Sequence, residues 1–227
     1  MPLHAITSTY GEPGLRERFA IELESWPGDD RRRLNRALEL ASRLHADDRR
    51  EREPYINHPL RVAIRIMSHY GVRDADVVSA ALLHDVVEDH AAELAGASGA
   101  SRQAALAVLA AEFGPRVADL VGAVSNPEYT PDRDRNEQYR EHVAESLRRR
   151  PWARVIKASD FTDNGAGLIH TSGPRVPALA AKYAPLVPVL RELISLPDTP
   201  LDAPVRELIL AQLDRAADRF AAVLPGG

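Results

Sequence analysis

The chain contains no cysteine. That removes disulfide bridges and thiolate metal sites from consideration and suits a reducing compartment. Lysine is nearly absent as well, occurring only at Lys157 and Lys182, so almost every cation is an arginine. Genomic composition is the simplest source of that bias, although the planar guanidinium also suits bidentate phosphate recognition. No stretch approaches the roughly 18 unbroken apolar residues that a membrane helix needs. The opening Met1-Pro2-Leu3-His4-Ala5-Ile6-Thr7-Ser8 lacks a basic region followed by an apolar core. A soluble cytoplasmic protein with no membrane partner is therefore expected. A formal net charge of −4 over 227 residues gives no support for binding nucleic acid through bulk charge. The length suits one domain with a small appendage and is sufficient to bury a substantial core.

Against this background one segment stands out, Ala80-Ala81-Leu82-Leu83-His84-Asp85-Val86-Val87-Glu88-Asp89. It has the composition of a buried helix, yet carries four metal- or proton-handling side chains. Unpaired buried charges cost several kcal/mol, and a divalent metal is the usual partner for adjacent His and Asp. If the segment is one helix, His84 shares a face with Glu88, and Asp85 with Asp89. Such a helix presents two ligands to a metal and two carboxylates to whatever the metal activates. As a plain acidic helix end, Glu88 and Asp89 would oppose the macrodipole.

Nearly all the rest also has helical character, with abundant Ala and Leu and no clean alternation of β-branched residues. Helices are expected near 31–45, 59–70, 74–89, 101–113, 116–124, 133–149, 152–161, 176–195 and 203–223. Asp74 and Ser101 are placed to cap two of them, and Pro59 falls in a first turn, where proline is tolerated. Breaks are expected near 11–14, 27–30, 96–100, 126–131, 165–174 and 197–200. The expected fold is all-α. Residues 1–30 form an N-terminal extension, 31–195 a single helical bundle with a metal site between core helices, and 196–227 a C-terminal helix. Val205, Leu208, Ile209 and Leu213 in that last helix suit packing on the domain or on another subunit, which leaves the oligomeric state open.

Three further phrases complete the pattern: Glu53-Pro54-Tyr55-Ile56-Asn57-His58-Pro59, Phe113-Gly114-Pro115-Arg116-Val117-Ala118-Asp119-Leu120-Val121, and Ala158-Ser159-Asp160-Phe161-Thr162-Asp163-Asn164. The order His … His-Asp … Asp resembles the HD metal-dependent phosphohydrolases. The finer phrases resemble their alarmone hydrolase branch, related to the hydrolase domain of the Rel/Spo proteins and including small Mesh-like forms. The resemblance covers residues 49–183. It implies an HD-domain bundle with a metal, usually Mn²⁺, held by His58, His84, Asp85 and Asp160. Two imidazoles and two carboxylates make a borderline-hard site that also accepts Fe²⁺ or Zn²⁺. It assigns Glu88 and Asp89 to orienting the attacking water and shuttling its proton. A bound divalent metal lowers a water's pKa from about 15.7 towards neutrality, and a neighbouring carboxylate serves as general base.

The same resemblance places the nucleotide against Arg49 and Arg50, by stacking and phosphate contact. It places Asn164, one turn after Asp160, on sugar or base; Lys157, one turn before Asp160, suits either a phosphate contact or the helix surface. A basic residue among Arg133, Arg135 and Arg140 would reach substrate phosphates. Two departures bear on the substrate. Glu51-Arg52 replaces the usual Ser-Gly step before Glu-Pro-Tyr, and Phe161-Thr162-Asp163 lacks the basic residue usual between Asp160 and Asn164. His45, His69, His90, His142 and His170 have no supporting phrase and are expected to be structural or surface residues, His90 being the least settled because it abuts the acidic pair.

The implied function is removal of the 3′-pyrophosphate of an alarmone nucleotide such as (p)ppGpp or (p)ppApp. The implied partners are that nucleotide, a 3′-pyrophosphorylated tRNA end, and a small alarmone synthetase toxin met through its product. A general HD nucleotidase and a non-catalytic nucleotide-binding protein are the alternatives. The Glu88–Asp89 pair and the full ligand set favour the hydrolase.

Overall fold

The structure is a computed structural model. It describes residues 2–50, 53–165, 167 and 174–224, which form two compact units, one ending at Ser125 and the other starting at Asn126. The Glu51-Arg52 step and His170 lie outside the described residues.

The first unit runs α1 (Leu3–Leu23), α2 (Gly28–Leu44), β1 (Arg49–Arg50), β2 (Glu53–Pro54), α3 (Asn57–Ser68), α4 (Ala75–Leu82), α5 (Val86–Asp89), α6 (Ala91–Leu94), α7 (Arg102–Phe113) and α8 (Pro115–Val124). Its centre is α4. Every residue from Val77 to Leu82 is buried, as befits a helix apolar on all sides, and α2, α3 and α8 pack around it. Its N-terminus is closed as the sequence suggests: Asp74 Oδ1 accepts from the backbone N–H of Asp76 at 3.0 Å and of Val77 at 3.3 Å. Arg116 of α8 pairs with Asp74 Oδ2 at 2.7 Å and Asp76 Oδ2 at 3.1 Å, and Arg33 of α2 with Asp76 Oδ1 at 2.6 Å. Two helices thus grip the start of α4 through charge.

Residues 1–30 supply a long helix, α1, kinked at Gly11, whose φ of 63° falls in the left-handed region open to glycine. It buries Leu15, Phe19 and Leu23 and packs on α3. Helix α3 carries two buried arginines. Arg61 grips both carboxylate oxygens of Glu53, at 2.8 and 2.9 Å, and so ties the short hairpin to the helix that bears His58. In that hairpin Arg49 pairs with Pro54 and Arg50 with Glu53.

The second unit runs α9 (Arg135–Arg148), α10 (Pro151–Asn164), α11 (Val176–Tyr183), α12 (Leu186–Ile194) and α13 (Ala203–Val223). Helix α10 is its centre, packed by α9, α12 and α13. Arg154 of α10 is fully buried and donates to the Leu147 carbonyl at 2.8 Å, the Arg148 carbonyl at 2.6 Å and Asp198 at 2.5 Å. It fastens the α9–α10 turn to the segment after α12.

Two expected helices are each divided. The helix expected over 176–195 breaks between Tyr183 and Leu186. Pro185 has no N–H to give the preceding turn, and it stands where α12 begins. The helix expected over 74–89 ends at Leu82 and resumes at Val86, and this second break shapes the site. The all-α class holds, the two-residue strands being the only β structure among the described residues.

Candidate metal centre

The break after Leu82 is built by the residue it presents. His84 Nδ1 lies 2.8 Å from the Ala81 carbonyl, which can only accept, so Nδ1 carries the proton and donates. Leu83 has φ −102° and ψ 5°, and the Val86 N–H turns back to the Leu83 carbonyl at 3.2 Å, three residues earlier. His84 and Asp85 therefore stand on a tight turn rather than on a helix face. The i, i+4 pairing expected of His84 with Glu88 does not apply, whereas Asp85 and Asp89 are joined across one turn, the Asp89 N–H donating to the Asp85 carbonyl at 3.0 Å. Helix α5 is four residues long, so the macrodipole argument about its acidic end does not apply either.

With Nδ1 protonated, His84 Nε2 offers its lone pair inward. There it meets His58 Nε2 at 3.1 Å and Asp85 Oδ2 at 3.2 Å, with His58 Nε2 to Asp85 Oδ2 at 3.6 Å. Donors bound at about 2.1 Å to one metal stand roughly 3.0 Å apart in adjacent octahedral positions, so these three atoms fit a common divalent ion. Both imidazoles are buried. His58 lies in the first turn of α3, just before Pro59. A carbonyl holding the outer nitrogen of one ring is the usual outer partner of a metal-binding histidine. Tyr55 supplies a second outer partner by donating its hydroxyl to Asp85 Oδ2 at 2.8 Å. Burial, and then the charge of Asp85, push the Tyr55 phenol well above its ordinary pKa, so it remains a donor.

Beside this cluster the Arg50 guanidinium lies over the Tyr55 ring, 4.7 Å from its centroid, with Nη2 3.4 Å from the hydroxyl. Arg49 is exposed. Of the acidic pair, Glu88 is half-buried and Asp89 is exposed. The protein mass around Asp89, and then Asp85, hold its carboxyl above the usual range.

In the second unit Asp160 is buried on α10 with both oxygens engaged. Lys157 Nζ pairs with Oδ2 at 2.9 Å, and Asn164 Nδ2 donates to Oδ1 at 2.6 Å. Lys157 is itself buried and lies over the Tyr139 ring at 5.3 Å. The expected metal ligand Asp160 and the expected substrate contacts Lys157 and Asn164 thus form one group on this helix. Arg133 pairs with Glu141 at 2.8 Å, Arg140 approaches Glu137 at 3.9 Å, and Arg135 lies over Tyr129 at 4.4 Å.

Two features escaped the sequence reading. Tyr55 was visible only as part of a phrase, because nothing in its spacing announces a contact to Asp85 thirty residues on. His45 and His90, expected to be structural, meet at Asp48. The His45–Asp48 spacing of three residues was the available signal.

Comparison with known proteins gives consistent matches. The model of the HD domain matches residues 37–155. The mouse and human guanosine-3′,5′-bis(diphosphate) 3′-pyrophosphohydrolases MESH1 are each 34% identical over 137 residues, 59% of this chain and 68% of theirs. The enzyme of the same description from Aquifex aeolicus is 31% identical over 159 residues, 69% of this chain but 20% of that much longer protein. Among solved structures, a metazoan ortholog of SpoT that hydrolyses ppGpp superposes with a TM-score of 0.61 at 26% identity. That match covers 84% of this chain and 97% of the other.

Proposed function

Since the chain belongs to the HD-domain family, we propose that it is a metal-dependent hydrolase removing the 3′-pyrophosphate of an alarmone nucleotide such as (p)ppGpp or (p)ppApp. The observation that carries the reading is the orientation of His84. Its outer nitrogen is committed to the Ala81 carbonyl, and its inner nitrogen faces His58 and Asp85 at 3.1 and 3.2 Å. The MESH1 relatives, named for this reaction, support the choice of substrate class.

His58, His84 and Asp85 would hold the ion, with Asp160 as fourth ligand on the strength of the motif order. Two imidazoles and two carboxylates favour Mn²⁺ and also accept Fe²⁺ or Zn²⁺. A divalent ion held there would supply Lewis acidity, lowering the pKa of a water and stabilising charge on the phosphate. The chain's own groups do the rest. Tyr55 fixes the plane of the Asp85 carboxylate. Glu88 and Asp89 orient the attacking water and take its proton. Arg50, already stacked on Tyr55, offers its planar cation to the nucleotide, with Arg49 beside it. Lys157 and Asn164 hold Asp160 in place and offer an ammonium to phosphate and an amide to the sugar. Residues 31–195 form the catalytic domain on this reading, and it operates in the cytoplasm.

Asp163 stands where the phrase of the alarmone hydrolases usually has a basic residue before the Asn, a departure that leaves the substrate's identity open. The proposal therefore extends to a 3′-pyrophosphorylated tRNA end and to an antitoxin role opposite a small alarmone synthetase, exerted through its product. Anion-exchange analysis of products separates these. Protein with Mn²⁺ is offered ppGpp, ppApp and tRNA bearing a 3′-pyrophosphate, with Asp85→Asn as control. Pyrophosphate release that is lost in the variant establishes the hydrolase, and relative rates name the substrate. No turnover of any of the three, with metal bound, rejects the alarmone assignment.

A further inference from the structure

His45 ends α2, buried, at a residue whose φ of −93° and ψ of 20° turn the chain out of the helix. Asp48 follows three residues later, and His90 sits at the junction of α5 and α6. These three points converge on one place. Asp48 Oδ2 lies 2.7 Å from His45 Nδ1 and 2.7 Å from His90 Nε2, and the two nitrogens are 3.2 Å apart. All three separations lie close to the roughly 3.0 Å expected between adjacent donors bound at about 2.1 Å to one octahedral ion. The donor set is two imidazoles and one carboxylate, which is that of a facial triad with open positions.

Each ring turns its inner nitrogen to Asp48 Oδ2, to which it donates, and a cation bound there would displace those two protons. His45 Nε2 is buried without a hydrogen-bond partner, so the polar contact of this ring is made through Nδ1, towards the cluster. His90 Nδ1 lies 3.5 Å from Glu93 Oε2 on α6, the place of the outer carboxylate that orients a metal-binding imidazole. Asp48 is half-buried, which leaves the open positions facing water. None of these donor atoms belongs to the His58–His84–Asp85 cluster. The Tyr55 ring connects the two, stacked on His45 at 4.5 Å on one side and edge-on to His58 at 6.2 Å on the other.

We propose that His45, Asp48 and His90 form a second divalent-metal site, for a borderline first-row ion such as Zn²⁺, Co²⁺ or Ni²⁺, with Glu93 as the outer carboxylate. This site stands independently of the alarmone reading. Its ion replaces two imidazole contacts to one carboxylate oxygen and locks the end of α2 to the start of α6. Through the stacked ring it braces Tyr55, and Tyr55 holds Asp85.

The test is metal stoichiometry. Metal-stripped full-length protein is dialysed to equilibrium against Co²⁺, and bound cobalt is counted by mass spectrometry and followed by its visible absorption. Wild type binds two equivalents, and His90→Gln and Asp48→Asn each bind one, with far-UV circular dichroism confirming folded helix. Asp85→Asn, which removes a donor of the other cluster, also keeps one equivalent, with an absorption spectrum different from that of the ion kept by His90→Gln. The two sites therefore fail separately. A single equivalent in wild type that His90→Gln and Asp48→Asn both keep, or two equivalents in both of these variants, overturns the second site.

Discussion

Tyr55 donates its hydroxyl to Asp85 Oδ2 at 2.8 Å, joining the loop before α3 to the turn between α4 and α5. Asp85 thereby presents its carboxylate in one orientation beside His84. Removing the hydroxyl while keeping the ring isolates that effect. Tyr55→Phe is expected to weaken Mn²⁺ affinity by about tenfold, the low end for loss of an outer partner, with the fold intact. Competition against a fluorescent chelator reads it. An affinity equal to wild type would remove Tyr55 from the metal's support.

Lys157 and Asp160 form an ion pair with both side chains 7% exposed. Breaking a buried pair leaves a charge without compensation, at a cost of about 3–5 kcal/mol. Lys157→Met is therefore expected to destabilise the metal-stripped protein by about that amount in urea unfolding. Adding Asp160→Asn is expected to restore most of it, because the orphaned charge is gone. A double variant as unstable as the single would mean that Lys157 acts through its packing on Tyr139 instead.

The start of α4 distinguishes a cap from a surface ion pair. Asp74 caps two backbone N–H groups and also receives Arg116, whose side chain is 43% exposed. Asp74→Ala is expected to cost about 1–2 kcal/mol, and Arg116→Ala less than about 1 kcal/mol. Chemical denaturation of the two variants gives the ranking, and the reverse order would contradict it.

A further expectation concerns acid. The hydrogen bond from Arg154 holds the Asp198 carboxyl below its ordinary pKa of 3.8. Its folded-state pKa is thus lower than its unfolded one, so the pair contributes stability above that value and loses it as pH falls through the folded pKa. The difference in melting temperature between wild type and Asp198→Asn is expected at neutral pH and should shrink on acidification below about pH 3.8. A difference that stays constant to pH 2 would show that the Asp198 charge is not the source.

Much of this was legible in the chain itself, for physical reasons. The helices over 101–113 and 116–124 are bounded by Ser101, Gly114 and Pro115, residues that end or begin helices by their own backbone chemistry. His84 and Asp85 are legible because polar side chains set in an apolar run need partners from elsewhere in the fold, and His58 is legible by the phrase it stands in. The break at Leu83–Asp85 was not legible, because Leu82, Leu83, Val86 and Val87 continue a helical apolar period across it. What stops the helix is the His84 side chain on the Ala81 carbonyl, a contact no periodicity reveals. The His45–Asp48 spacing of three residues is local, but the arrival of His90 beside them depends on where α6 returns to the end of α2, which is tertiary structure.

The central claim is that His58, His84 and Asp85 hold a catalytic metal. Its most direct test is pyrophosphate release from ppGpp by metal-stripped protein, with and without added Mn²⁺, in wild type and Asp85→Asn. No release is expected without metal, restoration by Mn²⁺ in wild type, and a rate lower by roughly a hundredfold or more in the variant at the same Mn²⁺. Equal release by the stripped protein, or by Asp85→Asn, would contradict it.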